Sequence, residues 1–430
     1  MKHSIPPGVF DIIPYDAKDL WKSSFLWNYV ERIIREMTSN YGYSEIRTPL
    51  FERTELFQRS VGETSDIVSK EMYTFEDKGG RSLSLRPEGT APAMRALIEH
   101  GLHQSTPIQK LYYISPMFRY ERAQAGRYRQ HHQFGVEAIG SASPEQDAEL
   151  ISLLISFYKK LGLKNLTLHL NSIGETSCRQ NFRQALKDYL QPYFHELSAD
   201  SQLRFESNPL RILDSKDPKD QKILVQAPSI LNFLSDDANK HFEQLQKILK
   251  HLNIDYKINP KLVRGLDYYN KTVFEVTSGE LGAQNSLGGG GRYDGLLKTL
   301  GGPDLPAIGF GTGIERIIQA MINQNLTLPS ASHPFIYLIP MGEAAKLACI
   351  KFVEELRLKN IPSEMDFTGK KVGKSLHYAD QLNSTYAAII GDEELKNREI
   401  EIKEMASGTQ IKFSLDNFVE ALKQKMEKQS

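Results

Sequence analysis

Residues 109–139 read Gln109-Lys110-Leu111-Tyr112-Tyr113-Ile114-Ser115-Pro116-Met117-Phe118-Arg119-Tyr120-Glu121-Arg122-Ala123-Gln124-Ala125-Gly126-Arg127-Tyr128-Arg129-Gln130-His131-His132-Gln133-Phe134-Gly135-Val136-Glu137-Ala138-Ile139. Within them, 110–114 and 117–120 have strand texture, 123–127 is a polar loop, and 132–139 reads as a returning strand. The pattern predicts an antiparallel hairpin with a long connection. That connection is cationic: from Arg119 to His132 it carries four arginines against one glutamate. Charge alone would suit a solvated turn. The residue type says more, because a guanidinium is a rigid fork that grips planar anions bidentately, whereas lysine offers a point charge. Phosphate chemistry, in a triphosphate or in RNA, selects such an all-arginine set. The adjacent His131 and His132 lack metal-ligand spacing, and no metal site made of protein ligands alone is expected.

Upstream of the hairpin, Leu26, Val30, Ile33, Ile34 and Met37 recur at helical spacing and predict a helix over 20–37. Tyr41-Gly42-Tyr43 ends it, and Ile46-Arg47-Thr48-Pro49-Leu50 reads as a short extended piece. Downstream, Ser143-Pro144-Glu145-Gln146 is a helix start, with Ser at N-cap, Pro at N1 and Gln at N3. Leu150, Leu154, Phe157, Tyr158 and Leu161 face inward from that helix, and an alternating strand follows at 166–170. The chain then turns polar and mostly helical over 172–259, as an inserted module would. Strand and glycine texture returns at 263–278, 288–291 and 309–313, running into a helix over 314–322. Residues 323–334 have linker composition. Beyond them, 335–340, 344–358 and 386–391 alternate as βαβ-like units of a last domain.

The whole chain has 430 residues, about three domains at roughly 150 each. Apolar residues make up 40% and aromatics 10%, which excludes wholesale disorder. Lys plus Arg and Asp plus Glu are 53 each, so any nucleic-acid contact has to be local. The two cysteines, Cys178 and Cys349, exclude a disulfide scaffold and a thiolate zinc site, and suit a reducing compartment. The N-terminus lacks the apolar core of a signal peptide, and no apolar run is long enough to span a membrane. A soluble, cytoplasmic protein is expected. Neither Gly309-Phe310-Gly311-Thr312-Gly313 nor the glycines at 288–291 satisfy the dinucleotide fingerprint, and 369–375 is one residue short of a P-loop. Neither a Rossmann dehydrogenase nor a P-loop ATPase is supported.

Three other pieces are ambiguous singly: Arg86-Pro87-Glu88-Gly89-Thr90 as a capped turn, Leu262-Val263-Arg264-Gly265-Leu266-Asp267-Tyr268-Tyr269 as core, and Ile314-Glu315-Arg316 as a surface ion pair. Taken in order with the hairpin, they resemble the histidyl-tRNA synthetases over nearly the whole chain. The class II synthetase pattern is present. Its first motif ends at Pro49, its second begins Phe118-Arg119-x-Glu121, and its third reads Gly309-x-Gly311-x-Gly313-x-Glu315-Arg316. Residues 262–269 and Gly289-Gly290-Gly291-Arg292-Tyr293-Asp294 look like the two histidine-recognition signatures. Residues 208–214, Asn208-Pro209-Leu210-Arg211-Ile212-Leu213-Asp214, are also similar to the family.

The resemblance implies an α+β fold. A six-stranded antiparallel catalytic sheet would occupy 1–171 and 260–325, a helical insertion 172–259, and an α/β anticodon-binding domain 326–430. It implies a homodimer formed through the first motif. The reaction it implies is activation of L-histidine by ATP, with Mg2+ accompanying the nucleotide, to histidyl-adenylate and pyrophosphate, followed by transfer to the 3′ end of tRNA(His). Arg119 would hold the α-phosphate, and Arg127 and Arg316 the rest of the ATP, with Glu121 and His131 in the same subsite. Arg264 would stabilise charge growing at the reacting phosphorus. Glu88, Gly89, Thr90 and Gln133 would bind the amino-acid backbone. Glu137 and Tyr269 would read the imidazole, and Tyr268 would line the pocket. Where the family usually stacks adenine on a phenylalanine, this chain has His131, whose neutral ring can also stack.

Residues 331–430 carry 14 Lys and Arg against 15 Asp and Glu, so the anticodon role rests on the resemblance and not on charge. Two rival readings do less well. The regulatory subunit of ATP phosphoribosyltransferase shares the catalytic fold but lacks the anticodon domain and parts of the histidine signatures, all of which remain here. A pure RNA-binding module leaves the paired histidine and ATP signatures unexplained.

Overall fold

The computed structural model describes residues 3–62, 65–121, 126–279 and 285–428. They form two compact units, one ending at Pro329 and one starting at Ser330. The first holds strands β1 (Ser44–Glu45), β2 (Phe51–Arg53), β3 (Thr74–Glu76), β4 (Ser82–Leu85), β5 (Gln109–Phe118), β6 (Gln130–Ile139), β7 (Leu166–Ser172), β8 (Lys257–Ile258), β9 (Asn270–Ser278), β10 (Ser286–Arg292) and β11 (Ala307–Gly313). The second holds β12 (Ile336–Pro340), β13 (Ser363–Met365), β14 (Tyr386–Ile390), β15 (Glu399–Glu404) and β16 (Gln410–Ser414).

The expected hairpin is β5 and β6, in register from Gln109 opposite Ile139 to Phe118 opposite Gln130. Ser115-Pro116 does not interrupt β5, whose register continues with Pro116 opposite His132, and the proline's carbonyl accepts Arg86 Nε at 2.9 Å. The large sheet runs β1-β5-β6-β11-β10-β9-β7-β8. Its six central strands are antiparallel, and the two-residue strands β1 and β8 add to its edges in parallel. So the six-stranded antiparallel body is present, with an added edge on each side that is too short to leave a periodic signal.

Strand periodicity divides this sheet into two faces of opposite chemistry. Phe134, Val136 and Ala138 of β6, Phe274 and Val276 of β9, and Ile308 and Phe310 of β11 point into a core with three helices, Ser24–Asn40, Pro144–Lys160 and Ile314–Asn323. The first of these begins later than its periodicity predicts, since Leu20–Lys22 forms a separate 3-10 turn. The second starts at Ser143 with proline next, as expected, but the serine hydroxyl makes no capping bond; the carbonyl of Ser143 accepts Arg292 Nη2 at 2.9 Å.

The polar stretch after β7 folds as helices, including Thr176–Leu190, Ala199–Ser207 and Asp236–His251. Its apolar residues Phe182, Leu186, Phe205 and Ile212 share one core with Leu97, Tyr269 and Tyr293. Asp220 is buried there among hydroxyls of Ser198, Ser201 and Ser215, which donate at 2.5–2.7 Å and hold its carboxyl below the usual range although burial pushes the other way.

In the second unit the sheet order is β13-β12-β14-β15-β16. β12 is parallel to both neighbours, as βαβ texture predicts, and the last three strands are antiparallel. Leu338, Cys349, Val353, Ile390, Ile402 and Phe418 fill its core. A hollow of about 640 Å³ opens beside β13, lined by His333, Tyr337, Arg357, Phe367 and Tyr378 among others. Among the described residues, no helix is long and apolar enough to cross a membrane, and no group of His, Cys, Asp or Glu is arranged to hold a metal ion.

Candidate active site

The second face of the large sheet carries the polar groups. His131, Gln133, Gly135 and Glu137 alternate along β6, with Tyr113 of β5 opposite Gly135. On the other side, Gly309 lies opposite Glu137 and Gly311 opposite Gly135, while Gly291 and Gly289 of β10 continue the row. These glycines are a floor. A Cβ at Gly309 would fall on Glu137 Oε2 and one at Gly311 on the Gln133 amide, while at Gly289 and Gly291 it would come within 2.9 Å of Arg264 Nη1 and 3.0 Å of Tyr269. Polar side chains from β6 and from the loop before β9 lie flat across strand positions that carry no side chain on this face.

Glu137 is at the centre, 1% exposed. Thr90 Oγ1 and Tyr113 OH donate to its Oε1 at 2.8 and 3.3 Å, and Tyr293 OH donates to its Oε2. Burial pushes the Glu137 carboxyl up to about 8, and the hydroxyls of Tyr293, Thr90 and Tyr113 oppose that shift. Tyr268, Tyr269 and Tyr293 form an aromatic wall beside it, with ring centroids 4.7–6.4 Å apart.

Arg264 enters from the loop before β9 and donates from Nη1 to Glu275 Oε1 at 3.1 Å. Its Nε and the Oε1 of Gln133 are buried with no hydrogen-bond partner among the described residues. Buried polar atoms are normally paired, so these two are groups that a ligand can satisfy. The loop itself is tied to the helical insertion. Asn208 Nδ2 and Arg179 Nη1 donate to Asp267 at 3.3 and 3.2 Å, and Arg211 packs against Gly265.

The cationic hairpin connection lies at the other end of the same face. Arg119 is fixed through Nε to the carbonyl of Pro87 at 2.8 Å, and Arg127 pairs with Glu121 at 3.4 Å. Arg316 donates to the carbonyls of Gly126 and Ser286 at 2.8–3.1 Å. His131 lies between these arginines; burial, with Arg119 next, pushes its imidazole down to about 3, so it is neutral. Arg122, Ala123, Gln124 and Ala125 lie outside the described residues.

This arrangement has relatives. The family model for histidyl-tRNA synthetase matches residues 22–317, and that for an anticodon binding domain matches 336–425. The chain belongs to the histidyl-tRNA synthetase family. It is 69% identical to the histidine–tRNA ligase of Protochlamydia amoebophila (strain UWE25) over 423 residues, 98% of this chain and 100% of that one. It is 50% identical to that of Chlamydia felis (strain Fe/C-56), covering 95% and 94% of the two chains. The crystal structure of apo S. aureus histidyl-tRNA synthetase superposes with a TM-score of 0.82 at 38% identity, over 98% of this chain and all of that one.

Set beside the family's motifs, the geometry gives several of these residues internal partners. Glu88, expected at the amino-acid backbone, accepts the N–H groups of Thr90 and Ala91 at 2.6 and 2.9 Å and so caps the helix Thr90–Glu99. Thr90 turns its hydroxyl to Glu137, and Gly89 is there because Tyr113 stacks over it. Glu315 and Arg316 are no surface pair: Glu315 is buried and accepts both the N–H and Nδ1 of His132. Sequence reasoning gave no role to Tyr113, Tyr293 or Arg86. The first two were legible in part, as tyrosines on or beside strands that also carry a buried acid. Arg86 was quoted only as part of a capped turn; it is 2% exposed and joins Thr48 and Pro49 of the first motif to Pro116, just ahead of the second.

Proposed function

We infer that the protein joins L-histidine to the 3′ end of tRNA(His) in two steps, with ATP as the energy source. In the first, a carboxylate oxygen of histidine attacks the α-phosphorus, a P–O bond forms, and pyrophosphate leaves with the electron pair of the broken bond. In the second, a terminal ribose hydroxyl takes the histidyl group and AMP is released. The observation that carries the reading is the buried Glu137, ringed by three hydroxyls over a glycine floor with Arg264 at its side.

The substrate's own carboxylate is the nucleophile, so positioning and fixed cations can supply the catalysis without a protein base. Arg119 would hold the α-phosphate, with Arg127 and Arg316 along the other phosphates and His131 against the adenine. Arg264 would face the reacting phosphorus from the histidine side, its guanidinium oriented by Glu275. Gln133 and Glu88 would meet the α-amino and carboxylate groups. Magnesium would enter with ATP, on the phosphate oxygens, as is usual for a cation that keeps most of its water. For the imidazole, a carboxyl near 8 and a ring near 6.5 share a single proton at neutral pH, so the pair brings no net charge into the pocket. Tyr269 would serve the ring's second nitrogen.

The second unit would read the anticodon of tRNA(His), and a cytoplasmic homodimer fits the rest. Leu50, Phe51 and Phe75 support it: they are 45–50% exposed side by side at the first motif, where a second copy would cover them. The test is histidine-dependent ATP–pyrophosphate exchange, followed by charging of tRNA(His). Exchange that ignores added histidine would remove the assignment.

A further inference from the structure

The N-terminal residues Pro6-Pro7-Gly8-Val9-Phe10 precede every motif quoted above and the span of the family model, yet they lie against the cationic hairpin connection. Gly8 accepts the backbone N–H of Arg129 at 2.7 Å, and Pro7 accepts its Nη1 at 3.4 Å. The Arg129 guanidinium stacks on the Tyr120 ring at 4.2 Å, and its carbonyl accepts the backbone N–H of Arg119 at 2.9 Å. A path of direct contacts therefore runs from Gly8 through Arg129 to Arg119. Gly8 has a φ of +84°, and a Cβ there would come within 2.8 Å of Arg129 Cγ and Cδ, so its position admits no side chain for two separate reasons. Phe10 adds an apolar clasp. Its ring centroid lies 5.0 Å from Tyr128, 4.7 Å from Trp21 and 6.2 Å from Trp27. Tyr128 is held from its other side by Gln319, on the helix that carries Arg316.

We propose that residues 6–10 are a positioning strap of the nucleotide subsite, clamping the returning limb of the cationic connection so that Arg119 and Arg127 are held ready for the triphosphate. Gly8, Phe10 and Arg129 act through those arginines and not on the substrate. The inference rests on the assignment of the arginines to ATP. Its physical basis is preorganisation: a limb held by the strap on one side and by Arg316 and Gln319 on the other does not have to be ordered when ATP binds. Histidine, bound at the far end of the sheet face, gains nothing from the strap.

The test compares Gly8→Val, Phe10→Ala and Phe10→Leu with the parental protein in pyrophosphate exchange, varying ATP and histidine separately. Gly8→Val and Phe10→Ala should raise KM for ATP about tenfold, the worth of one displaced hydrogen-bonded contact. KM for histidine should stay within about twofold. Phe10→Leu, which keeps most of the apolar contact, should lie near the parental value. A second readout is direct, since the only two tryptophans of the chain touch Phe10. Titration of tryptophan fluorescence with ATP should show the same displacement of its midpoint, and it serves with Phe10→Ala if Gly8→Val does not fold. Folded variants with parental KM for ATP would overturn the strap, and so would equal rises in both KM values. A parental protein without histidine-dependent exchange would fail at the activity itself, which is a different result.

Discussion

The two sheets of this chain bury different things. In the C-terminal unit the sheet packs Leu338, Ile390, Ile400 and Ile402 under helices, and the buried carboxylate beside it, Asp366, is satisfied by the hydroxyls of Thr368 and Ser375. The hollow beside β13 is open, and its Arg357 donates to the carbonyl of Ser363. In the first unit one face is equally apolar, but the other buries Glu137, Glu88 and most of Arg264 over glycines. An ordinary core gains from apolar burial, whereas a buried carboxyl costs stability unless it is paired, and such costs concentrate where ligands are handled. The contrast separates a sheet that is a scaffold from a sheet that is also a site.

The contrast breaks most visibly at Arg264. If its guanidinium faces the reacting phosphorus, Arg264→Ala should lower the exchange rate by two to three orders of magnitude, the loss of roughly 3–4 kcal/mol of transition-state stabilisation. Arg264→Lys should be nearly as damaging, because a point charge cannot replace the fork. Single-turnover exchange settles it: a parental rate for Arg264→Ala would take this residue out of the chemical step.

Separating the two units is the next largest effect. Leu326 and Leu328 pack on the first unit's core, so the cut belongs after Pro329. The shortened protein should exchange pyrophosphate normally yet charge tRNA(His) with kcat/KM down by roughly a hundredfold, the worth of a few stacked or read bases. The near-neutral charge of the missing unit predicts that its restoration steepens the salt dependence only slightly. Equal charging by both proteins would end the anticodon assignment.

Glu137 offers a pH-dependent test. Its carboxyl is raised from 4.5 to about 8 by burial, so it holds a proton through neutral pH in the folded chain only. Below pH 4.5 folded and unfolded chains both hold that proton; between 4.5 and about 8 the folded chain alone does, so rising pH removes stability across this window and no further above it. Unfolding temperatures of the apo protein should therefore decline over that range, and Glu137→Gln should flatten the decline. The same variant should weaken histidine use by roughly 1–3 kcal/mol in kcat/KM, with KM for ATP little changed. In the parental protein kcat/KM for histidine should fall above about pH 8, and this break should vanish in the variant. A pH profile shared by both proteins would assign the break to another group.

Tyr293→Phe should have the smallest effect, about 1 kcal/mol in histidine kcat/KM for one hydroxyl donor lost. Because that hydroxyl opposes the upward push of burial, its removal should move the break to higher pH. Movement to lower pH would contradict the arrangement in which Tyr293 donates to Glu137.

Much of this was readable in the sequence. The hairpin of β5 and β6 showed itself through alternation and four arginines, and the family resemblance pointed to Arg264, Tyr269 and Glu137, which lie on one face of the large sheet. What stayed hidden has a common physical origin. The edge strands β1 and β8 are two residues long, below the length at which a period can be seen. The internal bonds of Glu88 and Thr90 were not readable, because a motif records which residues are present, and not which hydroxyl faces which carboxylate. Arg292, quoted within a recognition signature, is fully buried and paired with Asp147 at 2.6 Å as an internal anchor. Such contacts cross between segments far apart in the chain, and no local pattern encodes them.

The glycine floor also sets which way the pocket can evolve. Its room is made by side chains that are absent from Gly289, Gly291, Gly309 and Gly311, so nothing there remains to be trimmed. Substitution at those positions can only narrow the substrate range. A bulkier amino acid would have to be admitted through the wall of Tyr268, Tyr269 and Tyr293, and shortening Tyr293 removes a donor from Glu137 in the same stroke. If Glu137 reads the imidazole, discrimination for that ring and discrimination against larger ones would be carried by one side chain, and a variant that relaxes the second would give up part of the first.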